Sequence, residues 1–379
     1  MLIILLLSLA SIATFLLLIR TVWAIRYYKD KTVTSSSQNQ NLPTVSVCIA
    51  ARNEMHALAH CLEAVLASDY PKLEILVLDD SSEDNTPLII KSFAQAGIRI
   101  IAGSALPDGW LGKNHAYQTL LAESSGELVL YIDVDTTLSV RSISRVVDIL
   151  LSSNVDMVSV LPQRTDGYRS SSLFGTLRYY LELLLGTQAK PPAASAFWMA
   201  RRSTIESVDF TFKNYALSVR PERHLAKQLQ HLGRYKYLLS ATAIGVGYEK
   251  QIHSQYETAQ RLYYPIVGRS IAGWLIATVL LLVLLWPYVV LLMPSMSTGV
   301  MMWALVTSLG IFVSLSIFNR ATYGRHVWVI RTVFTPLLLV QELILMQVSF
   351  VQYALGRVTW KGRIVTANTK RHEAISIDE

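Results

Sequence analysis

Long uncharged runs near both ends of the chain constrain its fold most strongly. The first run, MLIILLLSLASIATFLLLI at residues 1–19, contains no charged side chain. A helix of about 20 apolar residues is long enough to cross the hydrocarbon core of a bilayer. Two further runs, residues 271–293 and 300–318, share this property and are joined by the uncharged loop PSMSTG. These runs predict a membrane protein with transmembrane helices at both ends.

The charges that follow the first run predict its orientation. Asp30 is the single acidic residue among residues 20–31, where the basic residues are Arg20, Arg26, Lys29 and Lys31. A cleaved signal peptide carries its positive charge before the apolar run, whereas here the charge comes after it. Residues 1–22 are therefore predicted to be an anchor with its N-terminus outside the cell. Residues 23–41, which end in the polar stretch TVTSSSQNQN, are predicted to be a basic cytoplasmic tether.

The C-terminal part of the chain contains three apolar segments, at residues 265–293, 300–318 and 327–351. The first two are predicted to be transmembrane helices. The third contains Arg331, Pro336 and Glu342, and charges in hydrocarbon are costly. A third full span would also place the basic tail, residues 352–379, outside the cell. We therefore expect the third segment to be bent, re-entrant or interfacial, in a multi-pass protein of the cell membrane whose large domain and tail are cytoplasmic.

Residues 42–264 have the pattern of a folded domain outside the membrane. Short apolar runs such as TVSVCIA, LEILVLDD and ELVLYIDVD alternate with helical patterns. This alternation predicts an α/β fold with a mostly parallel sheet and helices on both faces. Ligands of such sheets bind beyond the carboxyl ends of the strands. Polar residues that directly follow the apolar runs are therefore the first candidates for a functional site.

The composition excludes several classes of protein. Only 16% of residues are charged and 52% are hydrophobic, whereas about a quarter of the residues of a soluble domain are charged. Two cysteines, Cys48 and Cys61, exclude a disulfide framework and do not supply a zinc-ligand set. The net charge of +7 comes from basic clusters beside the apolar runs. No array of aromatic and basic residues indicates a nucleic-acid partner, and no obligatory protein partner is evident.

Two acidic motifs follow predicted strands. Asp79 and Asp80 open the polar turn DDSSEDNT after LEILVL, where carboxylates suit hydrogen bonds to a nucleotide, although an Asp–Ser helix cap has the same appearance. Asp133 and Asp135 follow ELVLYI. Alternate residues of an extended segment share a face, so both carboxylates are expected to point toward one ligand. Paired carboxylates with substrate phosphates usually hold a hard divalent cation, but a lone Asp-x-Asp also arises by chance or as a helix cap.

A glycine-containing loop, DGWLGKNHA at residues 108–116, is the third motif. Glycines allow a close approach of the backbone to a ligand, and Lys113 at a predicted helix start places positive charge where a phosphate can bind. The alternative is a simple loop with a surface lysine. The spacing is not that of a P-loop.

Together with CIAARNE at residues 48–54, these motifs resemble the family 2 glycosyltransferases, which typically read I-x-A-R-N-E, V-D-D-x-S-x-D-x-T, G-K-x-x-A and D-x-D in this order. The resemblance is closest to membrane-bound members that act on lipids, the carotenoid and hopene-associated glycosyltransferases. They share the sequences from Trp110 to Lys113 and from Trp360 to Arg363. The resemblance implies a nucleotide-sugar-binding, Rossmann-like domain of the GT-A type.

The resemblance also implies roles for the matching positions. Asp133 and Asp135 are expected to hold Mg²⁺ or Mn²⁺ against the donor's diphosphate, and Asp135 counts among the catalytic residues. The residues expected to bind the nucleotide sugar are Ala51, Arg52, Glu54, Asp79, Asp80, Lys113 and Asp133.

The family's catalytic base is the Asp of an acidic pair that precedes a helix. Glu222 falls at this position in VRPERHLAKQL, where Pro221 replaces its acidic neighbour. Glu222 is thus the implied base and His224 is its rival, while a helix N-terminal carboxylate is the alternative role for Glu222. Five aromatic residues are expected either to line an acceptor entrance at the membrane surface or to be core or interfacial belt residues: Tyr168, Tyr179, Tyr180, Phe197 and Trp198. The tail residues Trp360, Lys361 and Arg363 are expected either to close over the phosphates or to form a basic membrane-surface patch.

The implied activity is inverting transfer of a single sugar from a nucleotide-diphosphate sugar, a UDP-hexose by expectation, to a carotenoid or other polyisoprenoid lipid. A glycerolipid or sphingolipid-like acceptor stays open. Residues 260–262, Gln-Arg-Leu, do not match the Q-x-x-R-W spacing of processive synthases, which favours a single transfer. The other classes left open are a membrane-anchored nucleotidyltransferase of similar fold, which would release pyrophosphate, and a non-catalytic membrane scaffold.

Overall fold

The computed structural model describes residues 1–29, 41–167, 169–207, 211–241, 243–324 and 327–364. These residues belong to two compact units. The helical unit comprises Met1–Tyr28, Arg164–Leu185 and Lys250–Thr366, and the sheet unit comprises Lys29–Gln163 and Gly186–Glu249. Parts of residues 42–264 thus group with the apolar helices. Most of the predicted tether, Tyr168 and the last part of the predicted tail lie outside the described residues.

The strands are short, and their bounds follow the apolar runs of the sequence. In chain order they are β1 (Val45–Ala51), β2 (Leu73–Asp79), β3 (Ile98–Ala102), β4 (Leu128–Ile132), β5 (Thr136–Leu138), β6 (Met157–Leu161), β7 (Gln163–Arg164), β8 (Phe197–Arg201), β9 (Tyr235–Leu239), β10 (Val246–Tyr248), β11 (Thr359–Trp360) and β12 (Arg363–Ile364).

The helices range from single turns to candidate membrane spans. In chain order they are α1 (Leu2–Tyr28), α2 (Leu58–Leu66), α3 (Thr86–Ser92), α4 (Gly112–Glu123), α5 (Ser142–Ser152), α6 (Ser170–Leu173), α7 (Arg178–Leu185), α8 (Arg202–Ser207), α9 (Pro221–His231), α10 (Ile252–Ile266), α11 (Ile271–Leu291), α12 (Thr298–Thr322), α13 (Val327–Val333) and α14 (Thr335–Ala354).

Seven strands of the sheet unit form one sheet in the order β3-β2-β1-β4-β8-β6-β9. Strands β3, β2, β1 and β4 are parallel to one another, and β9 is parallel to β6. Only β8 runs against its neighbours β4 and β6. The fully buried runs of β4 and β6 are typical of strands that are covered on both faces. The predicted mostly parallel α/β sheet is therefore confirmed.

Both faces of the sheet are covered by helices, because alternate residues of β1 point to opposite sides. Ile49 lies in the main core with Leu62 of α2 and Val146 of α5, all of them fully buried. Cys48 faces the other side, where its thiol contacts the carbonyl oxygen of Leu120 in α4 at 4.0 Å. Each large apolar side chain buried in this way stabilises the fold by about 1.5–3 kcal/mol. The helices thus fix the strand ends relative to one another.

The helical unit contains four helices that are long and apolar enough to cross a membrane: α1, α11, α12 and α14. Helix α1 continues to Tyr28, beyond the predicted boundary at residue 22. Residues 327–351 are divided between α13 and α14, which are separated at Phe334. Pro336 lies in the first turn of α14, where its missing N–H is tolerated. That this segment is bent, re-entrant or interfacial and does not cross the membrane stays a prediction.

The charged residues of this segment are buried inside the helical unit. Arg331 is fully buried, and its guanidinium donates to the carbonyl oxygens of Ser172 at 3.0 Å, Leu173 at 2.7 Å and Gly175 at 2.5 Å. Glu342 is 1% exposed and accepts from the backbone N–H of Leu177 at 2.9 Å and from the Tyr263 hydroxyl. These contacts remove the cost of placing either charge against hydrocarbon.

Candidate active site

Three of the predicted motifs meet at one edge of the sheet, because they follow neighbouring parallel strands. Strand β1 ends at Ala51 opposite Asp79, the last residue of β2. Strand β4 ends at Ile132, opposite Ile49, and Asp133 comes next. The backbone N–H of Asp80 donates to the carbonyl oxygen of Ala51 at 2.8 Å. The carboxyl ends of β1, β2 and β4 therefore form the floor of the candidate site.

The turn that begins at Asp79 is held by hydrogen bonds within the motif and from Arg52. Asp79 Oδ1 accepts from the backbone N–H of Ser82 at 3.2 Å. Arg52 Nη1 donates to the carbonyl oxygens of Asp80 at 2.6 Å and Ser81 at 2.9 Å. Ser81 has a left-handed φ of 56°, which is uncommon outside turns and functional loops. Arg52 thus orders the backbone beside the two acids.

Neither Asp79 nor Asp80 caps a helix. Helix α3 begins at Thr86, and it is Asp84 whose Oδ1 accepts from the Thr86 N–H at 2.9 Å. Asp79 is half-buried and Asp80 is 5% exposed. Glu54, the last residue of the CIAARNE sequence, donates its backbone N–H to Thr86 Oγ1 at 2.8 Å. Asp84 thus forms an Asx turn immediately before α3, whose N-cap residue is Asn85.

Asp133 and Asp135 lie in a turn, so the expectation of an extended segment was wrong. The Thr136 N–H donates to the Asp133 carbonyl oxygen at 3.0 Å, which closes a β-turn between β4 and β5. Both acids are half-buried, whereas Val134 between them is 4% exposed and belongs to the core. The turn forms because β5 leaves the main sheet to pair antiparallel with β10.

The carboxylates of the candidate site act on a buried thiol of α2. Burial raises the pKa of Cys61, which is 1% exposed, and the negative charges of Asp135, Asp133 and Glu54 raise it further, in that order. The three carboxylates therefore contribute negative potential at one buried position.

The two carboxylates of the β4–β5 turn fit a divalent ion that takes its other ligands from elsewhere. Among the described residues, no group of three or more His, Cys, Asp or Glu side chains is placed to hold a metal. A magnesium-like ion commonly uses one or two carboxylates and completes its shell with substrate phosphates and water. Asp133 and Asp135 offer that minimal donor set, and oxygen is the ligand that such an ion prefers.

Lys113 contacts the first acid of this pair. Helix α4 begins at Gly112, and the ammonium of Lys113 donates to Asp133 Oδ1 at 2.5 Å. The same nitrogen lies 5.2 Å from the ring centroid of Tyr117, one turn further along the helix. Lys113 is thus confined between a carboxylate and an aromatic face, which stabilises its charge.

Sequence reasoning did not identify Asn114, which anchors the loop before α9. Asn114 is 1% exposed, and its Nδ2 donates to the carbonyl oxygens of Tyr215 at 2.9 Å, Ala216 at 2.9 Å and Ser218 at 2.8 Å. A buried amide that satisfies backbone carbonyls fixes their position. The one available signal was the position of Asn114 directly after the Gly-Lys pair.

Tyr117 is a second residue that sequence reasoning missed. Burial raises its pKa, and the charges of Asp133 and Glu222 raise it further. Its ring packs against those of Tyr131 and Trp198 at centroid distances of 4.4 and 6.2 Å. The charges of Asp133, the candidate metal ligand, and of Glu222, the candidate base, therefore both act on the buried hydroxyl of Tyr117.

Glu222 and His224, the two candidate bases, differ in their surroundings. Glu222 is 1% exposed in the first turn of α9, and its Oε1 lies 3.5 Å from Nε of Arg220. His224 is exposed, its ring stacks on Tyr215 at 4.1 Å, and its Nε2 lies 3.1 Å from Ser218 Oγ. Desolvation by these neighbours, and then the charges of nearby cations, lower the pKa of His224 to about 4. The imidazole is therefore neutral at pH 7 and is a weaker proton acceptor than an ordinary histidine.

The remaining predicted site residues are two aromatic residues of β8 and the tail residues. Trp198 and Phe197 are both fully buried in β8, and Trp198 stacks on Tyr131 at 4.4 Å. Both positions fit the core alternative for the aromatic residues. Trp360 and Arg363 are paired across the hairpin β11–β12 of the helical unit, whose turn residues Lys361 and Gly362 have φ of 49° and 78°. Arg261 lies over the Trp360 ring at 4.9 Å.

Part of the chain is similar to known glycosyltransferases. Residues 46–208 match the model of glycosyl transferase family 2. Glycosyltransferase AglE of Haloferax volcanii is 33% identical over 121 residues, 31% of this chain and 38% of that protein. The 4,4'-diaponeurosporenoate glycosyltransferase of Staphylococcus aureus is 26% identical over 100 residues, 26% of each protein. The matches thus span less than two fifths of either relative's length.

A solved structure has a similar fold over almost the whole chain. The mannosyltransferase PcManGT from Pyrobaculum calidifontis, in complex with GDP-Man and Mn²⁺, superposes with a TM-score of 0.60 and 17% sequence identity. The similarity covers 93% of this chain and 99% of that one. At this identity the likeness establishes the fold.

Proposed function

Because residues 46–208 match the model of glycosyl transferase family 2, we propose that this protein transfers a single sugar from a nucleotide-diphosphate sugar to a membrane lipid, with inversion at the anomeric carbon. The observation that carries the proposal is the meeting of Asp79, Asp133 and Lys113 at one sheet edge. These groups match the parts of a nucleotide sugar. Carboxylates accept hydrogen bonds from the nucleotide, further carboxylates hold a cation, and an ammonium pairs with the phosphates.

The nucleotide is assigned to the end of β2 and the segment after β1. Asp79 and Asp80 accept hydrogen bonds from the base and ribose, and Arg52 holds the turn that presents them. Ala51 and Glu54 border the same edge. A UDP-hexose is the proposed donor.

The diphosphate is assigned to the region between Lys113 and the two acids of the β4–β5 turn. Asp133 and Asp135 would hold Mg²⁺ or Mn²⁺, which neutralises charge on the departing nucleoside diphosphate. Lys113 adds a fixed positive charge at the start of α4, where the helix dipole also favours phosphate. Asp135 is thus proposed as a catalytic residue through the cation that it binds.

Glu222 is proposed to accept the proton of an attacking acceptor hydroxyl, with His224 as its rival. The loop before α9 that positions both residues is fixed by Asn114. A carboxylic acid acceptor has a pKa of about 4 and is already ionised at neutral pH. For such an acceptor neither base is needed.

The acceptor is proposed to be a lipid, a carotenoid or other polyisoprenoid, because the described part of the chain includes four helices of membrane-spanning length and composition. A glycerolipid or sphingolipid-like acceptor is the alternative within the same reaction. The protein is proposed to be multi-pass, with the sheet unit in the cytoplasm where nucleotide sugars are made. No protein partner is needed for this reaction.

Mass spectrometry of membrane lipids tests the proposal. We expect cells that express the wild-type protein to contain a lipid heavier by one hexose than its precursor, and cells that express Asp135→Ala to lack it. Glu63→Ala, which removes an exposed carboxylate on α2, is the matched control and should retain the product. In vitro, release of a nucleoside diphosphate supports sugar transfer, whereas release of pyrophosphate would identify a nucleotidyltransferase.

A further inference from the structure

The contact between Lys113 and Asp133 has a consequence for metal binding. The ammonium lies 2.5 Å from Asp133 Oδ1, and the two side chains are 17% and 26% exposed. A charge-assisted hydrogen bond in a partly buried position is stronger than a surface ion pair. The β4–β5 turn has two carboxylates that can bind a cation, Asp133 and Asp135. Lys113 already contacts one oxygen of Asp133.

A divalent ion and an ammonium repel each other when they share one carboxylate. Placing Mg²⁺ or Mn²⁺ on Asp133 therefore requires Lys113 to leave Oδ1 or to remain close to a second positive charge. Both alternatives weaken binding of the metal by itself. The acidic surroundings contributed by Asp135 and Glu54 reduce this penalty without removing it.

We propose that Lys113 competes with the divalent ion for Asp133. The diphosphate of the donor relieves this competition, because it forms an ion pair with Lys113 in place of Asp133. The proposal rests on the nucleotide-sugar function proposed above. The flexible stem of a lysine, unlike a planar guanidinium, allows its ammonium to change partners by rotation. Metal and nucleotide then bind cooperatively, and each raises the affinity of the other by the same factor.

The alternative is a permanent ion pair that joins α4 to the β4–β5 turn. A permanent pair would keep Lys113 on Asp133 with the nucleotide bound, so the nucleotide would raise the Mn²⁺ affinity of wild type and of a variant without Lys113 by the same factor. The competing lysine predicts that removal of Lys113 abolishes most of this rise. The two interpretations therefore differ in a quantity that does not depend on turnover.

The test is a titration of Mn²⁺ into the full-length protein in detergent, with free Mn²⁺ followed by electron paramagnetic resonance. The titration is made without nucleotide and with saturating UDP or GDP, the two probes. Lys113→Met removes the competing charge, and Lys113→Arg retains a cation. Lys91→Met removes an exposed lysine from α3 of the same unit and controls for net charge.

Without nucleotide, we expect Lys113→Met to bind Mn²⁺ on the order of 10-fold more tightly than wild type, and the two other variants to resemble wild type. With UDP or GDP, the affinity of wild type should rise by a similar factor and that of Lys113→Met by much less. Equal or weaker binding by Lys113→Met without nucleotide overturns the competition and leaves the function standing. Failure of wild type to bind Mn²⁺ with either nucleotide instead contradicts the metal-dependent function itself.

Discussion

At the scale of single residues, the candidate site combines ligand-binding side chains with side chains that hold the backbone. Arg52 binds the carbonyl oxygens of Asp80 and Ser81, and Asn114 binds three carbonyl oxygens before α9. Both side chains fix the loops that carry candidate site residues. Such contacts position groups before the substrate arrives, which reduces the reorganisation needed during reaction.

Substitution of Glu222 tests both the base and the acceptor. With a hydroxyl acceptor, we expect Glu222→Gln to lower the transfer rate by roughly several hundredfold, within the range of general-base catalysis. With a carboxylic acid acceptor, the rate should change little. Rates are measured with defined hydroxyl- and acid-bearing lipids.

Two controls separate chemistry from stability at this position. Because Glu222 is buried beside Arg220, its removal also destabilises the fold, by about 3–5 kcal/mol when a buried pair is broken. Unfolding temperatures therefore accompany each rate. His224→Asn lies on the exposed side of the same helix, and a large rate loss there with an active Glu222→Gln would transfer the role of base to His224.

We expect the helical unit to lose stability in acid because of Asp166. Burial raises its pKa, but two hydrogen bonds of 2.7 Å from Arg164 and one of 2.7 Å from Ser171 outweigh burial and hold the pKa below its usual value. The folded state therefore favours the carboxylate. This contribution to stability is present above the unfolded pKa of about 4 and is lost as the pH falls below it.

Asp166→Asn should accordingly lower the unfolding temperature at pH 7 and flatten its fall between about pH 5 and pH 3. Thermal unfolding in detergent at a series of pH values measures both effects. Glu63→Gln, an exposed carboxylate of the sheet unit, should leave the curve as in wild type. An unchanged pH dependence in Asp166→Asn would show that the pair with Arg164 does not contribute.

At the scale of elements, the sequence predicted the strands better than the connections between them. Strand β4 was predictable because the apolar run LVLYI ends directly before Asp133. The turn at Asp133 was not, because it depends on pairing of β5 with β10, about a hundred residues away in the chain. The anchoring role of Asn114 likewise depends on a distant loop that no local pattern identifies.

Close packing between α1 and α12 gives a test at the same scale. A Cβ atom at Gly310 of α12 would lie 2.6 Å from Cγ2 of Thr14 in α1, and Ser11 Oγ lies 2.9 Å from Thr307 Oγ1 nearby. Small residues allow membrane helices to approach in this way. We expect Gly310→Val to destabilise the helical unit by about 1–3 kcal/mol through overpacking.

The control for this substitution lies in the same helix. A Cβ at Gly299 would meet no described atom within 4 Å, so Gly299→Val should be tolerated. Thermal stability and monodispersity in detergent are compared for the two variants. Equal behaviour of both would show that α1 and α12 do not depend on the small residue at position 310.

At the scale of the whole molecule, the buried charges explain how an apolar chain carries Arg331 and Glu342 in its last hydrophobic region. Both side chains bind the segment at residues 172–177, which the sequence had assigned to the large domain. This segment thus belongs to the fold of the helical unit. Charge within an apolar helix here marks a protein contact, so hydropathy by itself does not settle how often the chain crosses the membrane.

The number of crossings decides on which side the C-terminus lies. Helix α14 is 20 residues long and apolar enough to span, but a third span after the sheet unit would carry Arg357, Lys361 and Arg363 to the outside, against the positive-inside rule. We predict that the tail stays in the cytoplasm. In sealed, right-side-out vesicles, a C-terminal tag should then resist external protease until detergent is added, while an N-terminal tag is cleaved at once. Cleavage of the C-terminal tag in intact vesicles would show that α14 crosses, since no other described segment after α12 is long enough to do so.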